Sequence, residues 1–210
     1  MAVSLSSEQV DEVRDRIRQI AERQMADRGV AQVSLRSVAA EMGWTAASLY
    51  RYFRNKAELI VATRAAAYER FSDGMEAAYH STDDLWDRSR AIGEAYVNFA
   101  FREPAAYKLI FAYEQETEAT KTEALRQAEL RSQLMLTNYV ADMVDGGLLE
   151  GDAEQIAHVY WAALHGLIVL KMANKLNSAV RFEDIRKAST RLITRGAAGS
   201  AKRDAGESER

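Results

Sequence analysis

The 210-residue chain has no cysteine, so it can form no disulfide framework, no thiolate metal site and no cysteine nucleophile. A single proline and only eleven glycines leave little to break a helix, and few runs alternate with the two-residue period of a strand. No sheet is expected. Long hydrophobic runs are also missing: the longest, Ile156 to Leu170, is interrupted by two histidines and falls short of the roughly 20 residues a membrane span needs. The opening "MAVSLSSEQVDEV" lacks the basic flank and apolar core of a secretion signal. A soluble, cytoplasmic protein with no membrane partner is expected. There is no Gly-rich phosphate loop and no serine elbow, and the three histidines have no acid at catalytic spacing, which argues against an enzyme and calls for no cofactor.

What is present is helix-forming material, 48% apolar and 28% charged, enough to bury one or two all-α cores. The formal net charge of −3 is unevenly spread. Residues 1–64 carry ten Lys/Arg against eight Asp/Glu, and within 34–56 Arg36, Arg51, Arg54 and Lys56 stand against Glu41 alone. A local basic patch on an acidic chain suits contact between one small surface and a polyanion. On charge alone, an ordinary solvated face is the simpler reading.

Periodicity and capping signals predict about nine helices. The first runs from about Ser7 to Arg28, with Val10, Val13, Ile17, Ile20 and Met25 on one face and Gly29 as its stop. Ser34 caps a short helix carrying Leu35, Val38, Ala39 and Met42, which Gly43 ends in the left-handed conformation. Thr45 caps a helix of about two turns, with Trp44 placed to staple onto Leu49, and Asn55 with Glu58 forms a capping box for a helix from Lys56 to about Tyr79. Later helices are expected around "LWDRSRAIGEAYVNFAFR", after Pro104, over about Thr117 to Asp145, after Asp152, and over about Phe182 to Arg195. The expected domains are a helix-turn-helix head over residues 1–55, a helical bundle over 56–196 and a disordered tail over 197–210.

A helix, a glycine turn and a second short capped helix match the helix-turn-helix, whose second helix enters the DNA major groove N-terminus first. Helical bundles that touch no nucleic acid also contain this pattern. The residue types add to it. Leu49 and Phe53, four apart, can anchor the short helix and leave Ala46, Ala47, Ser48, Tyr50 and Arg51 outside the packed face. Tyr50, Tyr52, Ser34 and Lys56 suit phosphate contacts, and Lys56 sits at a helix N-terminus, where an anion is already favoured.

The stretch "VSLRSVAAEMGWTAASLYRYFRNKAELI", extended back through "RDRIRQIAERQMADRGV", resembles the DNA-binding head of the tetracycline-repressor (TetR-type) family, with "LYRYF" and "NKAEL" as its signature. The resemblance implies an all-α homodimer on a palindromic operator, with a C-terminal domain that takes a small effector and a loss of DNA affinity when the effector binds. Carried over by position, Ser34, Arg36, Thr45, Ala46, Ala47, Ser48, Tyr50, Arg51, Tyr52 and Lys56 become the DNA-binding set. This chain departs from many relatives in having Ala46 and Ala47 where a long polar residue is common. Alanines can touch thymine methyls but cannot read guanine, so base readout falls to Arg36, Ser48 and Arg51. Trp44 stands where a smaller aliphatic residue is usual and is read as packing. In the C-terminal half, "REPAAYKLIFA" and "YWAALHGLIVLKM" are similar to a subgroup marked by a Trp, a His and a Gly in one helix, here Trp161, His165 and Gly166.

The helix around Trp161 is apolar nearly all round, which implies burial nearly all round and a second subunit against its far side. Ala162, Ala163, Gly166 and Leu170, with Ile185 and Leu192 of the final helix, are the expected interface of a twofold dimer. Trp86, Tyr96, Phe99, Tyr107, Phe111, Met135, Tyr139, Met143, Trp161 and His165 are the candidates for an effector pocket of largely apolar or aromatic character. Taken one at a time, each is more simply explained as ordinary core, and only as a set do they favour a ligand. Polar handles would come from His165, Asn98 or tyrosine hydroxyls. Glu154, His158 and His165 lack a fourth ligand in register, so no metal site is expected. The rival classes are a helical protein-binding adaptor and a small-molecule-binding protein without DNA activity. Either leaves the clustering of Tyr50, Tyr52 and Lys56 unexplained.

Overall fold

The computed structural model describes residues 6–111, 121–177 and 179–198. Among them are nine α-helices and one 3-10 turn, and no strand beyond an isolated bridge between Leu149 and Ala198. The helices are α1 (Ser7–Arg28), α2 (Leu35–Glu41), α3 (Ala46–Leu49), α4 (Lys56–Tyr79), α5 (Leu85–Arg102), α6 (Pro104–Ile110), α7 (Glu123–Asp145), α8 (Ala153–Met172) and α9 (Phe182–Gly196). The all-α expectation holds.

Local chemistry sets most of the boundaries. Ser6 and Gln9 form a reciprocal capping box at α1, and Ser34 does the same with Ser37 at α2. Asp152 caps α8 through the Gln155 N–H at 2.9 Å, and Pro104 opens α6 at the position where its missing N–H costs nothing. Two boundaries differ from expectation. α7 begins at Glu123, because the Thr122 hydroxyl accepts the Leu125 N–H at 3.2 Å and caps the helix there. Of the expected first turn, residues 117–120 lie outside the described residues. Ala197 and Ala198, expected in the tail, are held instead by the Leu149 bridge and by the Glu150 N–H on the Ala197 carbonyl at 2.8 Å. Residues 199–210 lie outside the described residues.

The described residues fall into two compact units, the first within Met1–Ser72 and Phe99–Leu130, the second within Asp73–Asn98 and Arg131–Arg210. The first takes in more than the expected head: α4 as far as Ser72, α6 and the start of α7 cluster with it. Ile17, Ile20, Met25, Leu35, Val38, Leu49 and Phe53 form its core beside Leu59 of α4. α1 packs on α6, and Arg70 bridges Glu22 at 2.7 Å and Glu103 at 2.8 Å. The second unit is built on Ile92, Tyr96, Val140, Met143, Leu149, Ala157 and Ile168, all buried. Within it the carboxylate of Asp142 accepts from the Tyr79 hydroxyl at 2.5 Å and from Arg88 at 2.8 Å.

Candidate functional site

The head presents its second helix as the capping signals require. Gly43 has φ +70°, a left-handed conformation that glycine adopts without Cβ strain, and the Trp44 N–H then closes back on the Ala39 carbonyl at 2.8 Å. The Thr45 hydroxyl accepts the Ser48 N–H at 3.3 Å. Regular helix covers only the single turn of α3, shorter than the two turns expected. Helical hydrogen bonding nevertheless continues, from the Tyr50 N–H to Ala46 at 3.3 Å and from the Phe53 N–H to Leu49 at 3.0 Å. Leu49 and Phe53 are each 0% exposed, whereas Tyr50 is 57% exposed. The segment is therefore pinned from beneath while its outer side faces solvent. Thr45, Ala47 and Arg51 are exposed with Tyr50, and Ala46, Ser48 and Tyr52 are half-buried. Ser34 and Arg36, at the start of α2, are exposed as well. The Trp44 ring lies against Tyr52, with centroids 6.1 Å apart.

The charges of this surface are not all equal. Glu41 is taken up by α1: the Gln24 amide and then the Arg23 guanidinium hold its carboxyl below the usual carboxylate range, at 2.7 and 2.6 Å. Glu58 does not reach the Asn55 N–H as a capping box would. It accepts from the N–H and guanidinium of Arg54, at 2.8 and 3.1 Å, while Asn55 caps the Glu58 N–H at 2.8 Å. Burial pushes the Glu58 carboxyl up, but the two Arg54 donors outweigh it and leave it lowered. Lys56 donates to the Ala31 carbonyl at 2.7 Å, tying the first turn of α4 to the 3-10 turn Val30–Gln32. Arg36 and Arg51 have no ion-pair partner among the described residues.

A second candidate site lies wholly within the second unit, a cavity of about 720 Å³. That volume falls within the usual range for small-molecule pockets. Trp86, Tyr96, Tyr139 and Trp161, four of the residues expected at an effector pocket, line it together with Tyr160 and Leu164. Phe99, Tyr107 and Phe111 do not: in the first unit Phe99 and Phe111 pack on Phe71, with centroids 5.1 and 6.3 Å apart, and Tyr107 packs on Phe111 at 4.8 Å. Met143 is core, Met135 is half-buried away from the lining, and Asn98 is exposed. His165 stands behind the wall, its Nδ1 3.4 Å from the hydroxyl of Tyr96. Burial lowers its pKa and favours the neutral ring. His158 is exposed on α8, its Nδ1 2.8 Å from the Glu154 carbonyl oxygen. Sequence reasoning missed the polar side of the cavity, where α9 supplies Arg186, Lys187, Thr190, Arg191, Thr194 and Arg195. The signal was legible as polar residues recurring at three- and four-residue spacing along α9.

The far sides of α8 and α9 carry apolar surface. Val159, Val169 and Leu170 are exposed on α8 with Ala162, and Leu192 on α9 is 72% exposed. Ala163, Gly166 and Ile185 beside them are half-buried. No helix among the described residues is long and apolar enough to cross a membrane.

A capped helix-turn-helix with an outward second helix, joined to helices that line a cavity with aromatic side chains, is the architecture of helix-turn-helix regulators. The chain belongs to the tetracycline-repressor (TetR) family: residues 17–63 match the family model described as "Bacterial regulatory proteins, tetR family", and residues 89–195 match "Tetracyclin repressor-like, C-terminal domain". It is similar to the HTH-type transcriptional regulator Rv1816 of Mycobacterium tuberculosis, 30% identical over 103 residues, which is 48% of this chain and 44% of that protein. It is also similar to the HTH-type transcriptional activator FasR of Mycolicibacterium smegmatis, 28% identical over 149 residues, covering 70% and 66% of the two chains. The match therefore spans less than half the length of the first of these relatives. In fold it is similar to a TetR family transcription regulator from Marinobacter aquaeolei, with a TM-score of 0.74 at 19% identity over 92% of this chain and 100% of that one.

Proposed function

We propose that this chain acts in the cytoplasm as a ligand-responsive repressor: a homodimer that binds a palindromic operator in duplex DNA and is released by a small lipophilic or aromatic effector. The observation that carries the reading is the Thr45–Phe53 segment, anchored by two fully buried side chains and bearing an exposed tyrosine and an arginine without an ion pair. In this reading Ala46, Ala47 and Ser48 lead into the major groove, Arg36 and Arg51 reach base edges, and Ser34, Thr45, Tyr50, Tyr52 and Lys56 grip phosphates on either side. The exposed apolar side chains of α8 and α9 support a twofold interface of two helices per subunit. An obligate interface of this kind buries more than roughly 2,000 Å² in total.

In a dimer the two recognition segments sit about one DNA turn apart, ~34–36 Å, when bound. An effector releases the operator only if it binds the DNA-competent arrangement less tightly than another. A coupling of ~1–3 kcal/mol corresponds to a ~5- to 150-fold change in operator affinity. Residues 1–55 then act as the DNA-binding domain and 56–196 as the effector and dimerisation domain. The test is the anisotropy of a labelled random-sequence duplex titrated with the full chain over a series of salt concentrations. Binding whose logarithm falls linearly with log salt, by about 0.9 per neutralised phosphate, supports the reading. Salt-independent binding, or none at low salt, refutes it.

A further inference from the structure

The cavity has two unlike sides. One is aromatic and apolar, with Trp86, Trp161, Leu136 and Leu164 among its lining. The other belongs to α9 and is cationic. Five Lys/Arg side chains line the cavity against one acid, Glu94. Two of the five are answered locally, Arg90 by Asp87 at 2.8 Å and Arg186 by Glu183 at 2.8 Å. Lys187, Arg191 and Arg195 have no ion-pair partner among the described residues, and they stand at four-residue intervals on one side of α9. At 3.6 residues per turn Lys187 lies well round the helix from Leu192 and Ile185, whereas Arg195, seven residues after Ala188 and three after Leu192, borders the apolar face proposed for dimerisation. Deeper in, Tyr139 is 9% exposed, and its hydroxyl has no hydrogen-bond partner among the described residues. The Tyr160 hydroxyl, by contrast, is taken by Thr194 at 2.6 Å.

We propose that the cavity takes a small organic anion: an aromatic or hydrocarbon body lying between the two tryptophans, and an acidic head group facing Lys187, Arg191 and Arg195. This rests on the reading of the cavity as the effector site and adds the charge of the ligand to it. A neutral lipophile would satisfy the aromatic side but leave three cations with only solvent to face. A cationic ligand would meet repulsion from all three, with Glu94 alone in its favour. An anion gains attraction from side chains held in place by a helix, beside a low-dielectric wall that weakens screening. The Tyr139 hydroxyl then offers a neutral donor to a polar atom in the body of the ligand.

The experiment is calorimetric titration of the full chain with matched ligands that differ only in charge: 1-naphthoate, 1-naphthalenemethanol and 1-naphthylmethylammonium, and in parallel decanoate, decanol and decyltrimethylammonium. In at least one series the anion binds tenfold or more tightly than the alcohol, and the ammonium compound binds most weakly. The variant Lys187→Gln/Arg191→Gln/Arg195→Gln changes only exposed positions. It weakens the anion by at least tenfold and leaves the alcohol within twofold. If the alcohol or the ammonium compound binds as tightly as the anion in both series, or the triple variant leaves the anion unaffected, the charge assignment is wrong and the cavity remains an effector site of another class. If no member of either series binds at millimolar concentration, the reading of the cavity as an effector site fails as well.

Discussion

The indole N–H of Trp161 donates to the hydroxyl of Tyr96 at 2.9 Å, tying α8 to α5 at the wall of the cavity. The same hydroxyl lies 3.4 Å from Nδ1 of His165, so one oxygen links three side chains. Tyr96 is 1% exposed, so water cannot readily replace it. Tyr96→Phe removes the shared oxygen while keeping the ring, and it is expected to destabilise the protein by about 1 to 3 kcal/mol, the cost of leaving buried polar groups without their partner. Urea unfolding of the two proteins measures it. A change below about 0.5 kcal/mol would mean that the three side chains do not act together.

His165 gives the same site a pH dependence. Burial lowers its folded pKa below the ordinary histidine value, so the unfolded chain binds the proton more readily. The associated stability is complete above the unfolded pKa of about 6.5 and is lost as pH falls through that value toward the folded one. Melting temperatures measured from pH 7.5 down to pH 5 are therefore expected to fall more steeply for the natural chain than for His165→Gln. Parallel curves would place the titration elsewhere.

Gly43 controls how the recognition segment is presented. A Cβ added there meets nothing within 4 Å, so the cost of Gly43→Ala is backbone strain alone. At φ +70° that strain amounts to roughly 1 to 2 kcal/mol. Asparagine, which visits this conformation more readily, is expected to cost less. Thermal unfolding of the two variants checks the order. Alanine no worse than asparagine would contradict it.

Leu192 tests the dimer. It is 72% exposed in the single chain, so Leu192→Glu removes almost nothing from the subunit's own core. A charge at that position should be intolerable in an apolar subunit interface. Sedimentation at micromolar concentration is expected to show a dimer for the natural chain and a folded monomer for the variant. A variant that remains dimeric moves the interface off this part of α9.

How far the sequence disclosed these features depends on the physical range of each signal. Capping is local, so Ser34, Asp152 and Pro104 mark their helix starts directly, and Gly43 marks its turn. The glycine turn and the buried pair Leu49 and Phe53 likewise act within about ten residues, which is why the head was legible. Thr122 was passed over because the preceding acidic run reads as helix by composition while the cap decides the start. The cavity is non-local. Aromatic residues spaced for a helix face bury equally well against any neighbour, so nothing in their spacing separates Trp86 and Tyr139, which line the cavity, from Phe99 and Phe111, which pack around Phe71. The cationic side of α9 was overlooked because its exposed charges look like solvated surface until α8 and α5 are set beside them.

The role of the Thr45–Phe53 segment is tested most directly by selection of duplexes from a random library with the full chain, repeated with Arg36→Ala and Tyr50→Ala. The natural chain is expected to enrich a palindrome with half-sites about one turn apart. Arg36→Ala should lose about 1 to 3 kcal/mol on that site and relax one base position in each half, whereas Tyr50→Ala should weaken binding to all duplexes alike. Enrichment of no sequence, or binding indifferent to both substitutions, would contradict the assignment of this surface to DNA.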